Sequence, residues 1–371
     1  MDKPEKASVR FLTSESAGSL IAAVITIIIG LLLGLLILLI IAPTIALPAF
    51  RMLLTGGFGK IGVLSGIGRV LYYAVPLIMC GLAVGFTLKT GVFNIGVAGQ
   101  YVMGLFAGLY VGISCAGIFG SFTWLAAIIA GAAAGGAWGF IQGVLQAFFN
   151  LNAIICGIMM NYTGLFLVSM IVENSKGVYV RGRGWTEIVP DAAVIPRAGL
   201  NNLFGNSTAA NLSIFICIAL CIFAWFILKK TTLGYRMKAV GLNAGAARYA
   251  GISVRKSILV GMLLAGAFAG LGGAMNHLGA SGTRYAITDA LPSQGFAGIS
   301  VALIASSNPL GIIISGIFIA FLEVGGVGMQ SFGLDPDLVD VITSVIIYFC
   351  AFSFVFKYLY FKLAARLRRS E

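Results

Sequence analysis

Apolar runs of about 20 residues, the length that crosses a bilayer as a helix, recur along this chain from end to end. The plainest is LIAAVITIIIGLLLGLLILLIIA, Leu20 to Ala42. Hydrocarbon offers backbone N–H and C=O groups no water, so each such run must satisfy them within itself as a helix. A soluble fold is excluded by the 10% charged share, against about 25% in ordinary soluble domains. The first run is longer than a signal-peptide core and leads into no small-residue cleavage site, so it reads as a span.

Runs and breaks predict an all-α polytopic membrane protein of about ten transmembrane helices. They lie near 20–42, 70–88, 93–114, 122–148, 152–173, 210–228, 257–278, 286–306, 309–329 and 338–357. With the N-terminus inside, sixteen of the 24 Lys and Arg residues fall on the cytoplasmic side, which favours an N-in, C-in orientation. The other eight are Arg51, Lys60, Arg69, Lys176, Arg181, Arg183, Arg197 and Arg284. The whole chain, 1–371, reads as one transmembrane domain with cytoplasmic tails at 1–19 and 358–371. Two connections exceed simple turns: 174–209, expected outside, and 229–256, expected inside with seven basic residues and no acidic one. The net charge of +12 follows from such loops and calls for no nucleic-acid partner.

The spans starting near 70, 93, 122 and 152 are matched by those near 257, 286, 309 and 338, an offset of roughly 187 to 193. Matched spans run in opposite directions, as in an inverted repeat whose two broken helices approach a pseudo-twofold axis near the membrane midplane. The breaks are visible. FNIGVAGQ, Phe93 to Gln100, interrupts one span, and Pro292, Gln294 and Gly295 interrupt its counterpart. Backbone freed by Pro and Gly survives in a membrane only where protein or a wet cavity surrounds it, so both breaks point inward. Asn94, Gln100 and Gln294 there suit a neutral polar solute, and Phe93 and Phe296 offer faces for stacking or gating. The alternative is that the glycines allow close helix packing and the amides bond across helices.

Three further polar residues fall within or at the ends of spans. Asn161, beside Tyr162, either bonds solute or staples neighbouring helices. Glu323, the one carboxylate well inside a span, marks a functional site by default, with a protonated or paired structural role as the alternative. His277, near an outer helix end, fits an interfacial role better than a proton relay. The six cysteines show no ligand spacing, so no metal site is expected. Gly56 to Gly62, GGFGKIG, lacks both P-loop spacing and its Ser or Thr, and HExxH and GxSxG motifs are absent, so the chain is not read as an enzyme.

In the inner loop, Ala246, Ala247 and Ala250 fall on nearby faces of a short helix between Gly241 and Gly251, a small-residue surface against which a partner can pack. The same stretch, AVGLNAGAARYAGI from Ala239 to Ile252, resembles the coupling segment of permease subunits of ABC importers of the ribose and branched-chain amino acid type. FNIGVAGQ, LNAIICGIMMNY (Leu151 to Tyr162) and GFAGISVAL (Gly295 to Leu303) are most similar to purine nucleoside permeases that work with a basic-membrane-lipoprotein type of binding protein. The resemblance covers about residues 70–357. It departs at Ala98 and Ala153, where that family commonly carries acidic residues, so this pathway is less charged.

The resemblance implies a permease subunit of an ATP-driven importer in the bacterial plasma membrane, moving a small neutral solute, a nucleoside first and ribose or branched-chain amino acids as alternatives. An ion-coupled secondary transporter and a scaffold or sensor subunit are the rivals. Its implied partners are an ATP-binding subunit, a second and related permease, an extracytoplasmic solute-binding lipoprotein and membrane lipid. ATP and magnesium would belong to the ATPase subunit, with no cofactor in this chain. Phe93, Asn94, Gln100, Asn161, Tyr162, Gln294, Phe296 and Glu323 would border the solute path. Gly241, Asn243, Ala246, Ala247, Arg248, Tyr249, Ala250 and Gly251 would meet the ATPase.

Overall fold

The structure, a computed structural model, describes residues 15–58, 62–205, 210–352, 355–356 and 362. The tail expected at 358–371 lies outside these but for position 362, and of the tail expected at 1–19 only 15–19 is described, as helix. Among the described residues the chain is almost wholly helical. The principal helices are α1 (Glu15–Ile41), α2 (Ala46–Thr55), α3 (Val63–Leu88), α4 (Val97–Ser114), α5 (Thr123–Phe149), α6 (Ala153–Asn174), α7 (Ser213–Lys230), α8 (Thr232–Leu242), α9 (Ala244–Tyr249), α10 (Val254–Leu278), α11 (Ser293–Ile304), α12 (Pro309–Met329) and α13 (Pro336–Ala351).

Among the described residues, eight helical stretches are long and apolar enough to cross a membrane, against the ten spans expected of the whole chain. The span expected at 286–306 shrinks to α11, 12 residues, about 18 Å against a hydrocarbon core of about 30 Å. Its start is set by Pro292, which stands at the N-cap in extended conformation and has no N–H to continue a helix backwards. The span expected at 338–357 is described as α13, 16 residues begun by Asp335 and Pro336.

The chain divides into two compact units, residues 57–324 and residues 1–56 with 325–371. In the smaller unit α1 packs along α13. Gly30 permits this, because a Cβ there would stand 2.8 Å from the Ile346 carbonyl oxygen. Leu32, Leu36 and Ile40 face outward on α1, as lipid contact requires.

In the larger unit α10 lies at the centre, against α3, α4 and α5. Its contact with α5 is nearly backbone on backbone: Cβ atoms on Gly135 and Gly139 would come within 3.0 Å of Gly266 backbone atoms, and one on Gly270 within 2.3 Å of the Gly131 carbonyl oxygen. Lipid is as apolar as Leu, so helices in a membrane gain little from burying apolar side chains and much from close approach at small residues. The two halves exchange partners. Helix α10 of the second half packs on α4 and α5 of the first. Helix α3 of the first packs on α11 of the second and meets α12 where Gly316 sits against Ile78. An internal repeat predicts this exchange.

Candidate functional site

Between α3 and α4 the chain leaves helical geometry from Val92 to Ile95. Asn94, at this break, and Gln100, one turn into α4, are fully buried and close a ring of amides with Gln142 of α5. Asn94 Nδ2 donates to Gln100 Oε1 at 3.0 Å, Gln100 Nε2 to Gln142 Oε1 at 2.9 Å, and Gln142 Nε2 to Asn94 Oδ1 at 3.3 Å. Gly96 admits Gln142, because a Cβ there would fall 2.1 Å from Gln142 Oε1. Sequence reasoning passed over Gln142, whose one signal was an uncharged polar residue inside an apolar run.

Helix α4 begins at Gly96 without a side-chain cap from its own segment. Asn161 of α6 supplies one from elsewhere: its Oδ1 accepts the Gly99 N–H at 2.7 Å and its Nδ2 donates to the Ile95 carbonyl at 3.0 Å. Two backbone groups of the break are thereby satisfied, and the stapling alternative describes these bonds of Asn161. Tyr162 points the other way, exposed and stacked on Phe166 with ring centroids 6.2 Å apart.

The second break spans 286–292. It meets the first. Gly295 in the first turn of α11 lies on Ala98 in the first turn of α4, so that a Cβ on Gly295 would stand 2.6 Å from the Ala98 Cα. The N-terminal ends of α4 and α11 thus converge, with the partial positive charge each carries. Helix α11 has no side-chain cap; near its start Gln294 is half-buried and Phe296 43% exposed. Phe93 is half-buried at the first break, and Glu323 half-buried in α12.

The loop expected outside folds onto the second break. Strands β1 (Tyr179–Val180) and β2 (Trp185–Thr186) form a hairpin, and β2 extends pairing to the stretch before α11: Thr186 N–H donates to the Tyr285 carbonyl at 2.9 Å and Ile287 N–H to that of Gly184 at 2.9 Å. His277 sits edge-on to Tyr285 with centroids 5.9 Å apart.

In the loop expected inside, Asn243 caps α9, its Oδ1 accepting the Ala246 N–H at 2.9 Å. Here one expectation is corrected. Ala247 is 4% exposed and turns inward, whereas Leu242 is 89% and Tyr249 97% exposed. The six-residue helix must seat one face on the protein, and Ala247 is that face. Gly241, Ala246, Arg248, Ala250 and Gly251 are exposed with Asn243.

A polytopic helical protein in which α4 and α11 meet at their N-terminal ends, with a hairpin packed before α11 and a short exposed helix elsewhere, has the build of a transport permease. Comparison with known proteins agrees. Residues 66–351 match the family described as branched-chain amino acid transport system / permease component, and the chain belongs to that family. The guanosine ABC transporter permease protein NupP of Bacillus subtilis is 36% identical over 315 residues, 85% of this chain and 88% of that one. The nucleoside ABC transporter permease protein NupB of Lactococcus lactis is 33% identical over 298 residues, 80% and 81%. The glucose ABC transporter permease protein TsgB13 of Haloferax volcanii is 33% identical over 303 residues, 79% and 77%. No solved structure matches the chain. Family and apolar helices together make it a multi-pass membrane protein.

Proposed function

We propose that this chain is a permease subunit of an ATP-driven importer in the bacterial plasma membrane, and that its solute is a nucleoside. The observation that carries the reading is the meeting of the two half-helices at Ala98 and Gly295. There the start of α11, whose N-cap Pro292 supplies no side-chain cap, offers N–H donors to the carbonyl and ring acceptors of a neutral solute. The breaks at Phe93 to Gln100 and Pro292 to Phe296 border the path. The amide ring and Asn161 hold the first break in shape. The nucleoside assignment follows the names of NupP and NupB, 36% and 33% identical to this chain. A sugar is the second reading, favoured by the resemblance to the glucose permease protein.

The rest of the machine lies in other chains. A binding lipoprotein delivers solute to the outer hairpin, a second permease completes the path, and an ATPase subunit holds ATP and magnesium. With N- and C-termini inside, α9 faces that ATPase. In a well-packed interface an exposed Tyr is a common anchor. Tyr249→Asp is therefore expected to reduce co-purification of the ATPase subunit by about tenfold, in the range of a single hot-spot residue, with membrane levels of the permease unchanged. Co-purification at the wild-type level would remove α9 from the interface.

Uptake of labelled guanosine, in cells with and without the gene and with partner genes intact, tests the substrate. Gene-dependent uptake suppressed by unlabelled nucleosides and untouched by glucose, ribose or leucine is the expected result. Suppression by glucose or ribose would move the substrate to sugars.

A further inference from the structure

We propose that the five-residue turn 87–91 is the relay through which α9 drives both half-helices, with Gly91, Gly241 and Lys89 as its positioning residues. The proposal rests on the importer reading above.

The turn is stiff. Thr90 N–H donates to the Thr87 carbonyl at 2.8 Å, Gly91 N–H to that of Leu88 at 3.1 Å and Val92 N–H to that of Thr87 at 3.2 Å. The Thr90 hydroxyl donates to the Thr87 carbonyl as well, at 2.8 Å. Gly91 has φ +78°, the left-handed conformation that closes a helix and favours glycine.

On one side the turn bears on the segment that carries α9. A Cβ on Gly241 would stand 2.4 Å from the Lys89 carbonyl oxygen and 3.0 Å from the Gly91 nitrogen, and one on Gly91 3.0 Å from the Gly241 Cα. Backbone rests on backbone, two residues before the Asn243 that caps α9. No flexible side chain lies between to absorb a displacement. Behind the turn is α10, where a Cβ on Gly261 would meet Thr90 Oγ1 at 3.0 Å.

On the other side the turn reaches both halves of the repeat. Its own chain runs through Val92 directly into the first break and α4. Lys89 Nζ donates to the Ser306 carbonyl at 3.3 Å, in the turn that ends α11. Ser306 and Ser307 have φ +49° and +57°, a conformation that non-glycine residues adopt at a cost and that clusters at sites of conformational change. A single stiff element thus touches the partner-facing segment, the entry to α4 and the exit of α11. Two discrete arrangements of such an element are what couples distant sites.

The test uses the complete transporter in proteoliposomes, with its ATPase, second permease and binding protein, and reads labelled guanosine imported per ATP hydrolysed. Lys89→Met and Gly241→Ala are expected to lower this ratio by about tenfold, within the usual range of allosteric coupling. Lys230→Met, the same charge change at the exposed last residue of α7, is expected to keep the wild-type ratio. A merely structural role would lower the amount of assembled complex and leave the ratio alone. Variants at the wild-type ratio in a complex that imports guanosine overturn the relay and leave the importer reading standing. If Gly241→Ala does not assemble, Lys89→Met decides alone. A wild-type complex without ATP-dependent guanosine import overturns the importer reading, and the relay with it.

Discussion

Gly270→Val is expected to leave almost no folded permease in the membrane. Gly270 stands where three helices cross: a Cβ on it would lie 2.3 Å from the Gly131 carbonyl oxygen and 2.9 Å from the Gly135 Cα, while one on Gly104 of α4 would lie 2.1 Å from the Gly270 Cα. Every obstacle is backbone, so no rotamer change makes room. The cost should exceed the roughly 1–3 kcal/mol of side-chain overpacking, enough to reduce the folded fraction by about a hundredfold at 1.4 kcal/mol per decade. Gly117 is the control, having open space where its Cβ would go, and Gly117→Val should be nearly neutral. Size-exclusion profiles of the tagged, detergent-extracted proteins read the difference. A monodisperse Gly270→Val peak at wild-type height would refute the three-helix crossing.

Asn161→Leu is expected to cost nearly as much activity with less loss of protein. Leucine matches asparagine in shape but strands the Gly99 N–H and the Ile95 carbonyl, each a buried backbone group whose lost partner costs about 1–3 kcal/mol. The first break then has no cap holding it against α6. Uptake should fall by about tenfold or more, on the scale of those penalties, and the melting temperature of the purified permease should drop. Asn161→Asp separates the two bonds, since a carboxylate still accepts from Gly99 but cannot donate to Ile95, so it should recover part of the loss. Wild-type uptake and stability in Asn161→Leu would mean that the cap is dispensable.

Much of this was legible beforehand. The breaks at Phe93 to Gln100 and Pro292 to Gly295 appear in the sequence because Pro, Gly and amides are costly in lipid, and the structure places both at helix starts. The offset between spans was legible too, and in the structure α10 packs on α4 and α5, and α3 on α11. What escaped is instructive. Asn94 and Gln142 are 48 positions apart, and nothing local to either announces the other. Ala247 looked equivalent to Ala246 and Ala250 on a helix, yet it alone of the three is buried, because the side on which a short helix lies is chosen by what it rests against.

The sequence by itself determined that this chain is a bundle of membrane helices with two interruptions, since in hydrocarbon composition leaves the backbone no other way to satisfy its hydrogen bonds. Tertiary structure alone decided where the interruptions meet and what holds them: Gly295 on Ala98, Asn161 capping α4, three amides closing a ring, and Gly241 on the turn at Gly91. These are contacts between residues distant along the chain. Helical periodicity carries information over one or two turns, and only the packing of one helix on another selects among the partners that remain.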